Sequence, residues 1–293
     1  MIQRLVIFGV GLIGGSLALA LREAGAVAEV VGCSRNPANL EEAVRLGVID
    51  RWTTNPVEAC RDADVGVLAV PLGSMQGLAA AIATHWPAEA TLTDVGSSKQ
   101  AVIEAVRAGF GHLPRNFVAG HPIAGTEHSG VSAAYATLFR ERLVILTPAD
   151  ETSPMASEHV AAMWRATGAR VEFMTPVHHD HVLAATSHLP HVLAFALVES
   201  LARMSESDEI FHYAAGGFRD FTRIASSDPV VWRDICVANR DAILAVLERF
   251  QADLDGLREA IARGDGEALE ARFGFAKQAR DRFSENMQVQ LDQ

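Results

Sequence analysis

Cysteine and lysine are both scarce in this chain of 293 residues. The three cysteines, Cys33, Cys60 and Cys236, are too few and too widely spaced for a disulfide framework or a zinc motif. Their number predicts a reduced, cytoplasmic setting. Lysine occurs only at Lys99 and Lys277, so arginine carries almost all of the positive charge, and Lys99 stands out within a Gly-Ser turn.

Positive charge is also in deficit, because 25 lysines and arginines face 36 aspartates and glutamates. The formal net charge is −11 at pH 7. A surface this acidic repels nucleic acid and anionic lipid, so we expect a small-molecule partner and neither nucleic acid nor a membrane. An anionic substrate then requires a local basic site.

An uninterrupted hydrophobic run is missing near the N-terminus. Residues 5–21 are uncharged and largely apolar, but four glycines and Ser16 interrupt them. Only Arg4 precedes the stretch, and no clean cleavage region follows it. The pattern therefore argues against a signal peptide and against a membrane span.

Short apolar runs alternate with helical periodicity up to residue 175. The runs predict parallel strands buried on both faces, at residues 5–8, 30–31, 65–70, 91–95, 117–119, 143–147 and 170–173. The periodic segments predict helices at residues 14–24, 40–46, 74–85, 99–107 and 155–167. This alternation predicts an α/β domain over residues 1–175, with a doubly wound, mostly parallel sheet.

The chain beyond Pro176 shows no convincing strand pattern. Helices are predicted over residues 181–203, 229–250, 254–263 and 267–283. The sequence SSDP at residues 226–229 is a good start signal for the second of them. We therefore predict an all-α C-terminal domain over residues 176–293.

The sequence GVGLIG at residues 9–14 connects the first predicted strand to the first predicted helix. A dinucleotide site needs glycine three times, for a tight turn, for close approach of the pyrophosphate and for helix–strand packing. The phosphates then lie against backbone N–H groups at the helix N-terminus. We therefore predict a Rossmann domain whose cofactor contacts include Gly9, Gly11, Leu12, Ile13 and Gly14.

The end of the second predicted strand bears on which dinucleotide binds. An NAD enzyme usually has an acidic residue there for the ribose 2′-hydroxyl, whereas this chain has CSRN at residues 33–36. Ser34 and Arg35 are instead suited to a 2′-phosphate, which favours NADP and leaves NAD possible. The alternative is that Arg35 is only a solvated loop residue.

Two further segments follow predicted strands, where open α/β sheets bind ligands. They are TDVGSSK at residues 93–99 and GHPIAG at residues 120–125. A lone histidine is more often structural than catalytic. His121 is a better candidate, because Pro122 restrains it at a strand end beside the cofactor crevice.

The helical half carries a third group of polar residues, in SHLPH at residues 187–191 and GFRDFTRIA at residues 217–225. Pro190 is predicted to kink its helix and free backbone groups. Arg219 and Arg223 share a face only if their segment is helical, and a bound carboxylate would relieve their mutual repulsion.

Five histidines between residues 178 and 191 suggest a metal site, namely His178, His179, His181, His188 and His191. No cysteine or carboxylate stands at a familiar ligand spacing around them. We therefore predict no metal.

Five segments in this order resemble the prephenate/arogenate (cyclohexadienyl) dehydrogenases of tyrosine biosynthesis. They are GVGLIGGS, TDVGSSK, GHPIAGTEHSG, ATSHLPH and GFRDFTRIASSDPVVW. The resemblance covers nearly the whole chain. One departure is Ser98, where the family's GSVK turn has valine; Ser97 and Lys99 keep their places.

The resemblance implies an activity, a cofactor and an assembly. The activity is the oxidative decarboxylation of prephenate or arogenate with hydride transfer to NAD(P), giving 4-hydroxyphenylpyruvate or tyrosine. The substrate is a small dianion, and the residues leave the choice between prephenate and arogenate open. A cytoplasmic homodimer formed through the helical domain is also implied.

Site residues follow from the same resemblance. His121 accepts the proton of the ring hydroxyl, and Ser97 orients His121 and contacts the cofactor amide. Arg223 binds a substrate carboxylate. The remaining members shape the site or line the substrate side chain, and they are His188, His191, Asp220 and Trp232. The role of Lys99 stays open.

Two other functions compete with this one. The β-hydroxyacid dehydrogenases also join a Rossmann domain to helices, but they need a lysine near the start of the helical half, and none occurs between Lys99 and Lys277. A non-catalytic NADP sensor would have no need of a proton acceptor and a carboxylate clamp. Both are therefore less favoured than a dehydrogenase.

Overall fold

Two β-sheets form the scaffold in this computed structural model, which describes residues 1–126 and 128–291. The first six strands are β1 Ile2–Phe8, β2 Val27–Cys33, β3 Arg51–Thr53, β4 Val65–Leu68, β5 Thr91–Asp94 and β6 Phe117–Val118. They are all parallel, in the order β3-β2-β1-β4-β5-β6. This order is that of a Rossmann sheet, and it reverses between β1 and β4, where such sheets open a ligand crevice.

Three short strands form the second sheet, and they are β7 Gly120–Pro122, β8 Leu143–Leu146 and β9 Arg170–Phe173. β7 pairs antiparallel with β8, and β8 pairs parallel with β9. β3 and β7 were not predicted from the sequence, because three residues are too few to show a period. Thr147 N donates to Ala119 O (2.8 Å), which connects this sheet to the end of β6.

Six helices accompany these strands, and they are α1 Leu12–Glu23, α2 Pro37–Arg45, α3 Pro56–Ala59, α4 Leu72–Ile82, α5 Lys99–Phe110 and α6 Pro154–Ala166. Successive residues of β1 explain why both faces need covering. Leu5 and Ile7 enter one hydrophobic cluster with Leu17 of α1, whereas Val6 and Phe8 enter the other. The predicted α/β class is confirmed, because a strand buried on both faces requires helices on both sides.

The remaining helices are α7 Pro176–Leu183, α8 Leu189–Ala202, α9 Ser207–His212, α10 Gly216–Thr222, α11 Pro229–Ala238, α12 Arg240–Arg263 and α13 Gly266–Leu291. Among the described residues no strand follows Phe173, so the predicted helical second half is confirmed. The structure groups the chain into two compact units, one of Met1–Arg240 and one that begins at Asp241. The predicted boundary between residues 175 and 176 stays a prediction.

Two helix boundaries differ from their predictions. The helix predicted over residues 229–250 ends at Ala238, because Asn239 leaves helical geometry and turns its side chain into the protein interior. α12 then continues through residues 251–253 without the predicted break. A π turn, Ala184–His188, separates α7 from α8 and ends two residues before Pro190, in agreement with the predicted disturbance. Pro190 has no N–H to donate to the preceding turn.

Candidate active site

The glycine-rich turn between β1 and α1 has the backbone geometry of a phosphate site. Gly9 has φ +98°, and a Cβ there would lie 2.3 Å from the Ala69 carbonyl oxygen. A Cβ on Gly14 would lie 2.6 Å from Gly9 O, whereas one on Gly11 would meet no atom within 4 Å. Gly11 is also the N-cap of α1, without any side chain capping it. Gly9 and Gly14 therefore build the turn. Gly11 leaves room for a pyrophosphate beside free N–H groups.

The predicted ribose contacts lie beside this turn. Gly9 N donates to Cys33 O at the end of β2 (2.8 Å), so the two loops are neighbours. Ser34 is half-buried and Arg35 is exposed. The side chain of Asn36 caps α2 through Ala38 N. The residues present thus fit a nicotinamide dinucleotide, with a hydroxyl and a guanidinium near the position of the ribose.

A buried ion pair joins β5, α5 and β7. Lys99 Nζ at the start of α5 lies 2.5 Å from Asp94 Oδ2 at the end of β5, and both side chains are 0% exposed. The same ammonium donates to Gly120 O (2.6 Å), and Gly120 N donates to Asp94 Oδ1 (3.0 Å). Burial lowers the pKa of Lys99, and the charge of Asp94 opposes that shift. This pair holds Gly120, and with it the next residue, against the sheet.

His121 follows Gly120 on β7 and begins a chain of three side chains. Its Nδ1 lies 2.9 Å from Nε2 of His179, and Nδ1 of His179 lies 2.8 Å from Asp180 Oδ1. His121 is partly exposed, whereas His179 and Asp180 on α7 are buried. The exposed end is therefore the one that a substrate can reach.

Asp180 also caps α5 from a neighbouring helix. Its Oδ1 accepts from Lys99 N (2.7 Å) and its Oδ2 from Gln100 N (2.9 Å). Burial raises the pKa of the Asp180 carboxyl, but the hydrogen bonds from His179 and from these two N–H groups outweigh it, so the pKa lies below its usual value. Asp180 is therefore a carboxylate at neutral pH.

The pKa of His121 lies well below its usual 6.5. Removal of the imidazole from water is the main cause, and the neighbouring His179, Lys99 and His188 lower the pKa further. His121 is therefore neutral at pH 7, which is the state that a general base requires.

Three aromatic side chains line the helical side of this cluster. His191 stacks on Trp232 with ring centroids 3.6 Å apart, and His188 meets Trp232 edge-on at 6.1 Å. Burial lowers the pKa of His188 to about 4 and also lowers that of His191. Both imidazoles are consequently uncharged at pH 7, so they offer hydrogen bonds and apolar surface but no positive charge.

Asn239, which the sequence analysis did not single out, orients His188. Its Nδ2 donates to Asp180 O (2.8 Å) and to His188 Nδ1 (3.1 Å). The proton of neutral His188 must then lie on Nε2, which is buried and has no hydrogen-bond partner among the described residues.

The predicted carboxylate clamp lies where α10 ends. α10 runs to Thr222, and Arg223 opens a 3₁₀ turn, so the helical condition for Arg219 and Arg223 holds up to that point. The charge of Arg223 contributes to the lowered pKa of His191, which places the guanidinium near the aromatic residues. Arg219 is exposed and lies 3.7 Å from Asp220.

Most predicted residues of the substrate side are brought together, and they are His121, His188, His191, Arg223 and Trp232. Ser97 is half-buried just before α5, but in the described part of the chain it is His179 whose side chain bonds His121. From the sequence, His179 was considered only as a metal ligand, and no role was predicted for Asp180, Asp94 or Asn239. A usable signal for Asp180 was its place between histidines in HHDH at residues 178–181.

These features together define a Rossmann-type, nicotinamide-dependent dehydrogenase. Residues 17–173 match the nucleotide-binding domain of prephenate dehydrogenase, and residues 175–275 match its dimerization domain. The chain belongs to the prephenate dehydrogenase family, and the predicted family is confirmed.

Three relatives illustrate the similarity. A cyclohexadienyl dehydrogenase of Zymomonas mobilis is 38% identical over 95% of both chains. The crystal structure of Aquifex aeolicus prephenate dehydrogenase with hydroxyphenyl propionate and NAD+ has a TM-score of 0.89 and 38% identity, covering 97% of this chain and 98% of that one. Synechocystis arogenate dehydrogenase has a TM-score of 0.80 and 27% identity, covering 96% and 100%.

Proposed function

We propose that this chain oxidatively decarboxylates prephenate, arogenate or both, with hydride transfer to a nicotinamide dinucleotide. The observation that carries this function is the neutral, partly exposed His121 on β7, in a site that also holds Arg223 and the His191–Trp232 stack. The predicted activity is confirmed at the level of the family, whose members include prephenate, cyclohexadienyl and arogenate dehydrogenases.

The chemistry places one proton-transfer task on the protein. The turn of Gly9, Gly11 and Gly14 would hold the dinucleotide, which would supply the acceptor for the hydride of the ring carbon that carries the hydroxyl. His121 accepts the hydroxyl proton, so that carbon becomes a carbonyl. The bond to the ring carboxylate then breaks, carbon dioxide leaves, and the electron pair makes the ring aromatic and its oxygen a phenolate. His121 returns the proton to that oxygen.

Binding of a dianion by so acidic a protein depends on few groups. His188 and His191 are uncharged at pH 7, so Arg223 supplies the positive charge on this side of the site. A guanidinium can bind a carboxylate through two parallel hydrogen bonds. We therefore assign Arg223 to a substrate carboxylate, with the stacked His191 and Trp232 forming a wall beside the ring.

Replacing Arg223 by alanine is expected to raise the Michaelis constant for substrate about 10- to 100-fold, since a charged hydrogen bond contributes about 1.5–3 kcal/mol. Steady-state kinetics at saturating cofactor measure this change. Arg203→Ala is the control, because Arg203 is exposed at the end of α8 and pairs with Glu199. Weaker cofactor binding with an unchanged Michaelis constant for substrate would show that Arg223 binds the cofactor and not the substrate.

We further propose that NADP is the preferred cofactor and NAD a weaker one. Ser34 and Arg35 support this preference, because the end of β2 has no acidic residue for a ribose hydroxyl. The Aquifex aeolicus relative was crystallised with NAD+, so acceptance of NAD by this chain is also expected.

One experiment tests the activity and both preferences. Purified protein is assayed with prephenate and with arogenate, each with NADP and with NAD, by the absorbance of the reduced nicotinamide. Turnover of either substrate supports the proposed activity, and the ratio of the four rates gives the preferences. Absence of turnover in all four assays, from folded protein that still binds NADP, would favour the non-catalytic sensor.

We also propose a cytoplasmic homodimer. The helix Pro176–Ala202 has a mean hydropathy of 1.4 in its most apolar window, yet only 22% of that window is buried. By length and composition such a helix is also able to cross a membrane. Its residues fall in the match to the dimerization domain, which supports a second copy of the chain as the cover. A monomeric mass by light scattering at micromolar concentration would contradict this.

A further inference from the structure

We propose that His179 and Asp180 are positioning residues that fix the tautomer of His121, so that its Nε2 is the atom that accepts the substrate proton. The inference rests on the proposed function, since it assigns an atom to the proton transfer. It also makes a claim about the protein without substrate, namely which ring nitrogen of His121 carries hydrogen.

The proton assignment starts at the buried carboxylate. Asp180 already accepts two backbone N–H bonds from the first turn of α5, and an ionised carboxylate can only accept. Nδ1 of His179, 2.8 Å from Asp180 Oδ1, must therefore carry a hydrogen and donate it. The proposal takes the His179 ring as uncharged, with that single N–H, so its Nε2 has a free lone pair.

The hydrogen on His179 also determines the tautomer of the His121 ring. Nδ1 of His121 lies 2.9 Å from that lone pair on His179, so it must be the donor. Its single hydrogen is then on Nδ1, and Nε2 is left as an acceptor. Only Nε2 remains for the substrate, because His179 occupies the Nδ1 side of the ring.

The surrounding charges oppose a second proton on His121. The groups around His121 are the ammonium of Lys99 on α5, the imidazole of His188 before α8, and the carboxylates of Asp94 and Asp180. Asp94 is already bound to the Lys99 ammonium, and Asp180 to the α5 N-terminus and His179. The positive charge of Lys99 therefore disfavours an imidazolium at His121.

The tautomer itself can be measured on the unmodified protein. Nitrogen-15 NMR of histidine-labelled protein at pH 7 distinguishes a protonated from an unprotonated ring nitrogen, and the spectrum of His121→Asn assigns the signals. We expect His121 to have hydrogen on Nδ1 and a free Nε2. A hydrogen on Nε2 would overturn the proposal, whether or not the enzyme turns over.

Two substitutions of His179 then separate positioning from packing. His179→Leu removes the acceptor for His121, and we expect kcat to fall about 100-fold, the lower range for loss of an aligned base. His179→Gln keeps an oxygen that can accept from Nδ1 of His121, and we expect it to stay within about 10-fold of the unmodified enzyme. The substrate Michaelis constant and cofactor affinity should change little in both.

The neighbouring His178 supplies the matched control. It is exposed on the same helix and its side chain has no part in the site, so His178→Leu should keep full kcat. Equal kcat in His179→Leu and the unmodified enzyme would overturn the proposal, as would equal losses in the leucine and glutamine variants. If the leucine variant does not fold, the NMR result on the unmodified protein decides alone.

Absence of turnover by the unmodified enzyme is a different outcome. It would remove the proposed function while leaving the tautomer measurable by NMR. The two failures are therefore distinguishable.

Discussion

His121→Asn is expected to lower kcat by about 10²–10⁴-fold, because general-base catalysis typically contributes that much. Asparagine preserves a polar side chain of similar reach but cannot accept a proton at neutral pH. The dinucleotide turn is built from Gly9, Gly11 and Gly14, so the dissociation constant of the cofactor should be nearly unchanged. Steady-state kinetics and a cofactor titration measure the two effects, and an unimpaired variant would remove His121 from the mechanism.

The pH dependence gives an independent check on the same residue. A base works only when unprotonated, so activity falls as pH falls through its pKa. Because the pKa of His121 lies well below 6.5, kcat/KM of the unmodified enzyme should stay level down to about pH 6.5 and decline only below it. In His121→Asn the residual activity should lose this acidic limb. A midpoint above pH 7 would contradict a neutral His121 imidazole.

Lys99→Met is expected to lower the free energy of unfolding by about 3–5 kcal/mol, because it leaves Asp94 buried without its partner. Methionine keeps much of the side-chain volume, so a cavity contributes little. For a chain of this size we expect a fall in Tm on the order of 10 °C. Thermal unfolding followed by circular dichroism, with cofactor absent, measures the change.

The chain's other lysine is a matched control. Lys277 also lies 2.5 Å from a carboxylate, Asp281, but this pair is exposed. Exposed ion pairs one helical turn apart contribute about 0.3–0.5 kcal/mol, so Lys277→Met should hardly change Tm. Adding Asp94→Asn to Lys99→Met should restore part of the lost stability, because it removes the unpaired charge. Equal effects of the two lysine variants would refute the buried-pair assignment.

The predictions for His121 and Lys99 concern one connected group of residues. Lys99 bonds the carbonyl of Gly120, and the next residue is His121. Asp180 caps the same helix that Lys99 begins, and it also bonds His179. The group that stabilises the end of the sheet and the group that positions the base thus meet at the first turn of α5.

Much of the N-terminal half could be predicted from local sequence. Residues 5–8 are apolar throughout because β1 is buried on both faces, and Gly9 and Gly14 are required by close contacts within the turn and with Ala69. Such local requirements restrict the residue types at these positions, so they can be predicted from the sequence. The five motifs in order also sufficed for the family, although they could not decide its finer preferences.

The helical half was harder, because its boundaries depend on distant residues. The helix predicted through residue 250 ends at Ala238, since Asn239 is used for hydrogen bonds to Asp180 and His188. Nothing in the sequence near residue 239 marks that role. The apolar α8 likewise reads as a buried helix, whereas within the single chain only Ala194 is buried.

By itself the sequence determined the fold class, the dinucleotide turn and the identity of His121 as the candidate base, because each depends on residues close together in the chain. Only the tertiary structure decided the partners of that base. His179 is 58 residues from His121, and Asp180 is 81 from the backbone N–H it caps. Of the three histidines in HHDH at residues 178–181, only His179 is buried and bonds His121. Burial depends on how the helices pack, so the sequence alone does not show it.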